Sequence, residues 1–144
     1  MTTLEIILLV AAVFLISAVA SFLFWKHRSE REQQAKFESK LKDMLTERNR
    51  HLSKLVESLL FESIDMLKGE ISESDYKESV SQAANIIKET NRAISTMESD
   101  RTPASIAGMT ILQKKLQDMV DNLDEQIVAR EELNQDSRDY KTLN

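Results

Sequence analysis

The chain has 144 residues, with two glycines, one proline, no cysteine and a formal net charge of −5 at pH 7. The scarcity of glycine and proline excludes the repeated tight turns of a sheet or barrel protein, and the lack of cysteine excludes disulfides and cysteine-bound metals. Residues 69–144 carry 9 basic and 15 acidic side chains, which argues against nucleic acid as a partner because phosphate binding needs a concentrated basic face. The composition therefore predicts an all-α protein.

The first predicted element is an apolar helix that contains no charged residue from Ile6 to Trp25. A helix of about 20 residues is about 30 Å long, which is the hydrocarbon thickness of a bilayer. We predict that residues 1–25 form an N-terminal tail and a transmembrane anchor. In this prediction Ile6, Phe14 and Phe22 lie in the apolar layer, and Trp25 lies at the interface, where aromatic side chains are enriched.

A cleaved signal peptide is the alternative to an anchor, because Ala18-Val19-Ala20 before Ser21 resembles an A-x-A cleavage site. Two features oppose cleavage. The first five residues, MTTLE, contain no lysine or arginine, and the apolar run continues past the site to Trp25. We therefore predict that the anchor is retained.

A basic segment follows the anchor and predicts its orientation. Lys26, Arg28 and Arg31 lie in residues 26–40, whereas residues 1–25 contain no lysine or arginine. We interpret residues 26–40 as a basic juxtamembrane stalk whose cations contact lipid headgroups. By the positive-inside rule, the N-terminus lies outside the cell membrane and the C-terminal domain is cytoplasmic.

The next part of the chain, residues 41–134, is predicted to be a helical bundle or coiled-coil domain. Apolar residues recur every three or four positions, which is typical of helices that bury one stripe. In the first helix, predicted to run to about residue 67, a seven-residue repeat predicts packing or interface positions at Leu45, Leu52, Leu59 and Met66.

Two further helices are predicted after a break at residues 68–74, where Gly69 suits a helix end. The second covers about 74–98, and the third covers about 103–134, with Thr102 as its N-cap and Pro103 at its first position. The predicted packing positions are Val80, Ile87 and Ile94 in the second helix and Met109, Leu112, Leu116, Met119, Leu123 and Ile127 in the third. Residues 135–144 have no apolar period and are predicted to form a flexible polar tail.

The predicted architecture is a transmembrane helix that continues into a long helix, followed by a helical hairpin. Three apolar stripes imply either a three-helix bundle or a coiled-coil assembly. The hairpin is expected to be too short to cover Leu41 and Leu45 near the membrane. We therefore predict a homo-oligomer, with a dimer favoured and the first helix at its interface.

The sequence offers little for catalysis or for binding a cofactor. It has no glycine-rich phosphate loop and no H-E-x-x-H site. The two histidines, His27 and His51, are predicted to be solvated surface residues, and Asp118, Asp121 and Glu125 are predicted to form a solvated helix face. We expect no cofactor, no metal ion, no small-molecule substrate and no enzymatic activity.

Two functional interpretations remain open from the sequence. The favoured one is a single-pass membrane-anchored interaction or scaffold protein, which oligomerises and recruits a protein partner of unknown identity at the membrane. The alternative is an envelope-spanning or periplasmic coiled-coil protein, since one span followed by a helical rod resembles the layout of a phage inner-membrane spanin. The two interpretations place the C-terminal domain on opposite sides of the membrane.

Overall fold

A computed structural model describes residues 2–142 and contains three helices: α1 (Thr3–Leu67), α2 (Glu73–Asp100) and α3 (Pro103–Thr142). No strand occurs among these residues. The predicted all-α fold, with one long apolar N-terminal helix and a bundle-like arrangement of helices, is confirmed. The chain divides into two compact units between Glu38 and Ser39, and α1 contributes to both.

The first unit, described from Thr2 to Glu38, consists of the N-terminal part of α1. The backbone amide of Thr2 donates a hydrogen bond to Glu5 Oε2 over 3.1 Å, and the Glu5 carboxylate lies where the positive end of the helix dipole favours an anion. Every residue from Thr2 to Arg28 is exposed. The apolar side chains of this segment therefore have no packing partner within their own unit.

The second unit, Ser39–Asn144, contains the distal part of α1 together with α2 and α3. Helix α2 runs antiparallel to α1, since residues 68–72 join their ends and Arg48 on α1 donates a hydrogen bond to Asn91 on α2 over 3.4 Å. Helix α3 then runs in the same direction as α1, with ion pairs from Lys54 to Asp124 at 2.7 Å and from Arg130 to Asp65 at 3.4 Å. These contacts arrange the three helices as an up-down-up bundle.

Local sequence explains the first turn of the bundle. Gly69 has φ +78°, a left-handed conformation that glycine adopts without steric cost. The amides of Gly69 and Glu70 donate to the carbonyls of Met66 and Asp65, at 3.0 and 2.9 Å, which is the Schellman pattern of a helix end. Ser72 then caps α2 by accepting the amide of Asp75 on its hydroxyl at 3.1 Å.

The second turn is shorter and brings α2 and α3 together. Arg101 adopts a left-handed φ of 46°, and Thr102 accepts the amide of Ser105 on its hydroxyl at 3.3 Å. Pro103 is the first residue of α3, as the sequence predicted. Further along α3, a Cβ added to Gly108 would lie 3.3 Å from Met97 Sδ. Glycine at this position therefore allows the two helices to approach closely.

The core of the second unit combines residues from all three helices. The buried apolar residues are Met44 and Leu55 on α1, Ala83 and Ile94 on α2, and Met109, Leu116, Val120 and Ile127 on α3. Of the predicted packing positions, the structure buries Ile94, Met109, Leu116 and Ile127. It half-buries Leu45, Leu59, Met66, Ile87, Leu112, Met119 and Leu123, and it leaves Leu52 and Val80 exposed.

The face of α1 that enters the core differs from the expected one. Met44 and His51 face inward, and each lies one position before a residue of the predicted row, Leu45 or Leu52. Leu55, which lies beside that row, is also buried. The expectation that the hairpin leaves Leu41 and Leu45 uncovered was wrong, because both are half-buried and Met44 is fully enclosed. Helix α2 extends to Asp100, beyond its predicted end, and so reaches further along α1 than expected.

Helix α3 also continues beyond its predicted end. It runs to Thr142 instead of ending near residue 134, and every residue from Glu131 to Thr142 is exposed. Residues 143 and 144 lie outside the described part of the chain. The flexible polar tail predicted for residues 135–144 stays a prediction.

Candidate functional site

The first candidate surface is the apolar part of α1 in the N-terminal unit. This is the one helix among residues 2–142 that is long and apolar enough to cross a membrane, and the apolar window is completely unburied. The predicted anchor residues Ile6, Phe14, Phe22 and Trp25 are all exposed on it. Its backbone hydrogen bonds are made within the helix, which is what a segment in hydrocarbon requires.

The basic segment after the apolar run remains accessible. Lys26, Arg28 and Arg31 are exposed, and Arg28 pairs with Glu32 at 3.3 Å. An exposed pair one helical turn apart contributes little to stability and is screened by salt. These cations are therefore available to anionic groups outside the chain.

The second candidate surface lies on α1 within the bundle. Between His51 and Leu67, all of which the structure describes, the exposed residues are Leu52, Ser53, Val56, Leu60, Ile64 and Leu67. We call these six residues the outer α1 stripe. Leu60 is 60% exposed and Leu67 is 81% exposed. A bundle helix ordinarily presents charged residues to water and apolar residues to the core, so the outer α1 stripe reverses the expected polarity.

Three of the four charged residues in this stretch of α1 form ion pairs inside the chain, and the fourth, Glu62, is half-buried. The Lys54 Nζ lies 2.7 Å from Asp124 Oδ1 and 3.2 Å from Glu57 Oε2, and the hydrogen bonds that Lys54 donates to Asp124 and to Glu57 raise its pKa. Asp65 pairs with Arg130 at 3.4 Å. The pairs with Asp124 and Arg130 hold α1 against α3. The outer α1 stripe itself contains no charged residue.

The prediction for His51 was wrong. His51 is only 3% exposed, and its Nε2 atom has no hydrogen-bond partner among residues 2–142. It lies one turn before Leu55 on the inward face of α1. His27, in contrast, is exposed as predicted.

A polar notch adjoins His51 between α1 and α2. It has a volume of about 320 Å³ and is lined by Arg48, Asn49, His51, Leu52, Ile87, Thr90 and Asn91. The Arg48 guanidinium partly closes it by donating to Asn49 Oδ1 at 3.1 Å and to Asn91 Oδ1 at 3.4 Å. The notch lies at the N-terminal end of the outer α1 stripe.

Burial lowers the pKa of His51 below its ordinary value of about 6.5. Above pH 6.5 the imidazole is neutral in the folded and unfolded chain, and its titration costs no stability. As the pH falls below 6.5, the unfolded chain takes up the proton first, so the folded state becomes progressively less stable until the pH passes the lowered pKa.

We therefore expect His51→Leu to remove a pH-dependent loss of stability. At pH 7 the variant should be more stable than the wild type by on the order of 1 kcal/mol, because it removes a buried polar atom without a partner. The difference should grow between pH 6.5 and 5. Urea unfolding of the full chain, followed by circular dichroism across this pH range, measures both effects.

His27→Leu serves as the matched control, since His27 is exposed and its replacement should leave the pH dependence unchanged. His51→Gln separates charge from polarity, because glutamine keeps hydrogen-bonding groups but does not titrate. If His51→Leu and the wild type lose stability in parallel as the pH falls, the assignment of this effect to His51 is wrong.

Metal binding has no support in the geometry. Residues 2–142 contain no group of three or more His, Cys, Asp or Glu side chains placed to hold an ion. In the acidic stretch of α3, Asp118, Asp121 and Glu125 are exposed, while Asp124 is half-buried and pairs with Lys54.

Comparison of the chain with protein-family models, with curated proteins and with solved structures found no match.

Proposed function

We propose that this protein is a single-pass, membrane-anchored helical scaffold, which oligomerises and recruits a protein partner at the membrane surface. The observation that carries the proposal is that, within residues 2–142, the segment from Ile6 to Trp25 and the outer α1 stripe are apolar surfaces that stay exposed. The first has the length and composition to enter a bilayer. The second is of a size and kind that marks protein contacts on soluble domains.

The proposal assigns no catalytic step to the chain. Helix surfaces would carry out its function. Residues 1–25 would be the anchor, and the cations of residues 26–40 would contact the lipid headgroups. The helices of the second unit would contact other proteins. The charge difference across the anchor supports a cytoplasmic position for the second unit. We expect the outer α1 stripe to contact another apolar helix face, because its exposed surface is a narrow row of aliphatic side chains.

Reporter fusions test the orientation. A cytoplasmic reporter placed after Asn144 should be active, and a periplasmic phosphatase at the same position should be silent, because Lys26, Arg28 and Arg31 follow the anchor. Replacing these three residues by glutamine, and adding three lysines after Thr3, is the matched control and should invert the result. An active phosphatase on the unaltered chain would reject the cytoplasmic orientation and support the envelope-spanning alternative. A mature protein beginning at Ser21 would reject the anchor.

A further inference from the structure

We propose that the outer α1 stripe is the surface through which two copies of this chain pair side by side in one membrane. This inference rests on the proposed function, and it names both the surface and its occupant. The predicted interface around Leu45 is replaced, because the chain's own helices half-bury Leu45 and enclose Met44. The next apolar surface along α1 that remains uncovered begins at Leu52.

The spacing of the stripe suits an identical partner. Leu52, Val56, Leu60 and Ile64 are separated by four residues each, and such a row forms a single ridge on a helix surface. Two identical ridges interlock through the grooves beside them, which is the commonest mode of helix packing in globular proteins. This mode crosses the two helices at about 50°, so a two-fold axis through the crossing places the residues there near their own copies. Both copies leave the membrane at the same end of α1, so the two ridges run in the same direction.

Charge also favours a second copy. Two identical surfaces repel each other if they carry charge of one sign, and the outer α1 stripe carries none. The nearest acidic side chain on this stretch, Glu57, is already bound to Lys54 at 3.2 Å. A partner selected by charge would need unpaired ionic groups at the rim, and Ser53 is the polar residue that accompanies the aliphatic ones.

The surface ends sharply toward the membrane. One, two and three turns before Ser53, the same face of α1 carries Asn49, Thr46 and Lys42, all exposed. Apposition of two copies at Lys42 would bring like charges together, whereas apposition at Leu60 would not. The pairing is therefore confined to residues 52–67.

The area agrees with a dimer that depends on the membrane. The exposed parts of the five aliphatic residues amount to roughly 500 Å² per copy, so pairing would bury at most about 1,000 Å², near the lower limit for a specific interface. Such a contact is weak between freely diffusing molecules. Anchoring both copies in one bilayer raises their effective concentration and makes a weak contact sufficient.

Cysteine crosslinking of the full chain in native membranes tests the pairing. The protein has no cysteine, so a single introduced cysteine is the one thiol that can form a disulfide between copies. Val56→Cys and Leu60→Cys should each form a disulfide-linked dimer under mild oxidation, with at least a tenfold larger dimer fraction than Gln117→Cys on α3. Gln117 is exposed on α3 and is not part of the outer α1 stripe, which makes it the matched control.

Opposite charges placed at residue 60 test whether a second copy of the chain contacts the outer α1 stripe. With Val56→Cys as the reporter, Leu60→Glu should reduce the crosslinked fraction at least tenfold, and Leu60→Lys should do the same. Co-expression of the Glu and Lys chains, distinguished by different tags, should restore crosslinking between unlike copies to within about threefold of the original. Because Leu60 is exposed, both variants should retain the helical content and the thermal unfolding curve of the parent.

Two results would overturn the inference. If Val56→Cys and Leu60→Cys do not crosslink but are protected from a membrane-impermeant thiol reagent, a different protein occupies the stripe. If they do not crosslink and react readily, the stripe is bare. The orientation reporters distinguish failure of this inference from failure of the proposed function. If the chain crosslinks but the second unit lies outside the cell membrane, the dimer stands and the cytoplasmic scaffold is rejected. If the second unit is cytoplasmic but the chain does not crosslink, the orientation stands and the dimer is rejected.

Discussion

Leu116→Asp should unfold the second unit. Leu116 is 1% exposed and lies in the middle of α3 among core residues from the bundle. The substitution removes a buried aliphatic group and places a carboxylate where it has no partner, at a cost on the order of 4 to 6 kcal/mol. The total stability of a domain this size is about 5 to 15 kcal/mol.

Thermal unfolding of the full chain in mild detergent, followed by circular dichroism, measures this effect. The midpoint should fall by about 20 °C or more, or the cooperative transition should disappear. Ile111→Asp is the matched control, since Ile111 lies on the same helix but is 71% exposed, and it should change stability by no more than about 0.5 kcal/mol. Equal destabilisation by the two variants would mean that α3 does not pack through the Leu116 face.

Ile87→Asp tests the same effect of a carboxylate at a less buried position of the bundle. The sequence places Ile87 and Leu116 in equivalent apolar rows, but Ile87 is half-buried and lines the notch beside Arg48. A carboxylate at residue 87 would have access to water and to the Arg48 guanidinium. Ile87→Asp should therefore destabilise the bundle less than Leu116→Asp does.

The double change Leu15→Arg and Ile16→Arg should release the chain from the membrane. Thirteen of the residues from Ile6 to Trp25 are leucine, isoleucine, valine or phenylalanine, and each favours insertion by roughly 0.3 to 0.6 kcal/mol near the helix centre. Each arginine at the centre opposes insertion by about 2.5 to 3.5 kcal/mol. Two of them cancel most or all of the favourable total.

Alkaline extraction of membranes distinguishes an embedded chain from one attached through other proteins. The wild type should remain in the membrane pellet, and the double variant should move to the soluble or aggregated fraction. Trp25→Arg is the control, because it adds a similar charge at the end of the apolar run beside Lys26, where the cost is small. An embedded double variant would show that residues 6–25 do not anchor the chain.

The sequence alone determined the number and order of the helices because their boundaries rest on local chemistry. Gly69 ends α1 through a left-handed residue, Ser72 caps α2, and Thr102 with Pro103 starts α3. Each signal acts within a few residues and does not depend on the rest of the fold. The apolar run of the first unit is equally local, since length and composition suffice to identify a helix that can cross a bilayer.

Only the tertiary structure decided which face of α1 enters the core. The distal part of this helix is apolar over more than half of its circumference, so its periodicity fits more than one inward face. Packing against α2 and α3 selected Met44, His51 and Leu55 for the interior and left Leu52, Val56 and Leu60 outside. His51 has charged neighbours in the sequence, which predicts a solvated side chain. Its burial becomes visible only when the three helices are packed together.

The ion pairs between helices decided the polarity of the exposed surface. Lys54 and Asp65 look like solvent-facing charges in the sequence, yet they reach Asp124 and Arg130 on α3. A pair separated by 65 or more positions leaves no local pattern, because it depends on how two helices align along their lengths. The sequence thus determined that α1 has more apolar surface than one core stripe needs, and the three-dimensional arrangement decided where the surplus is exposed.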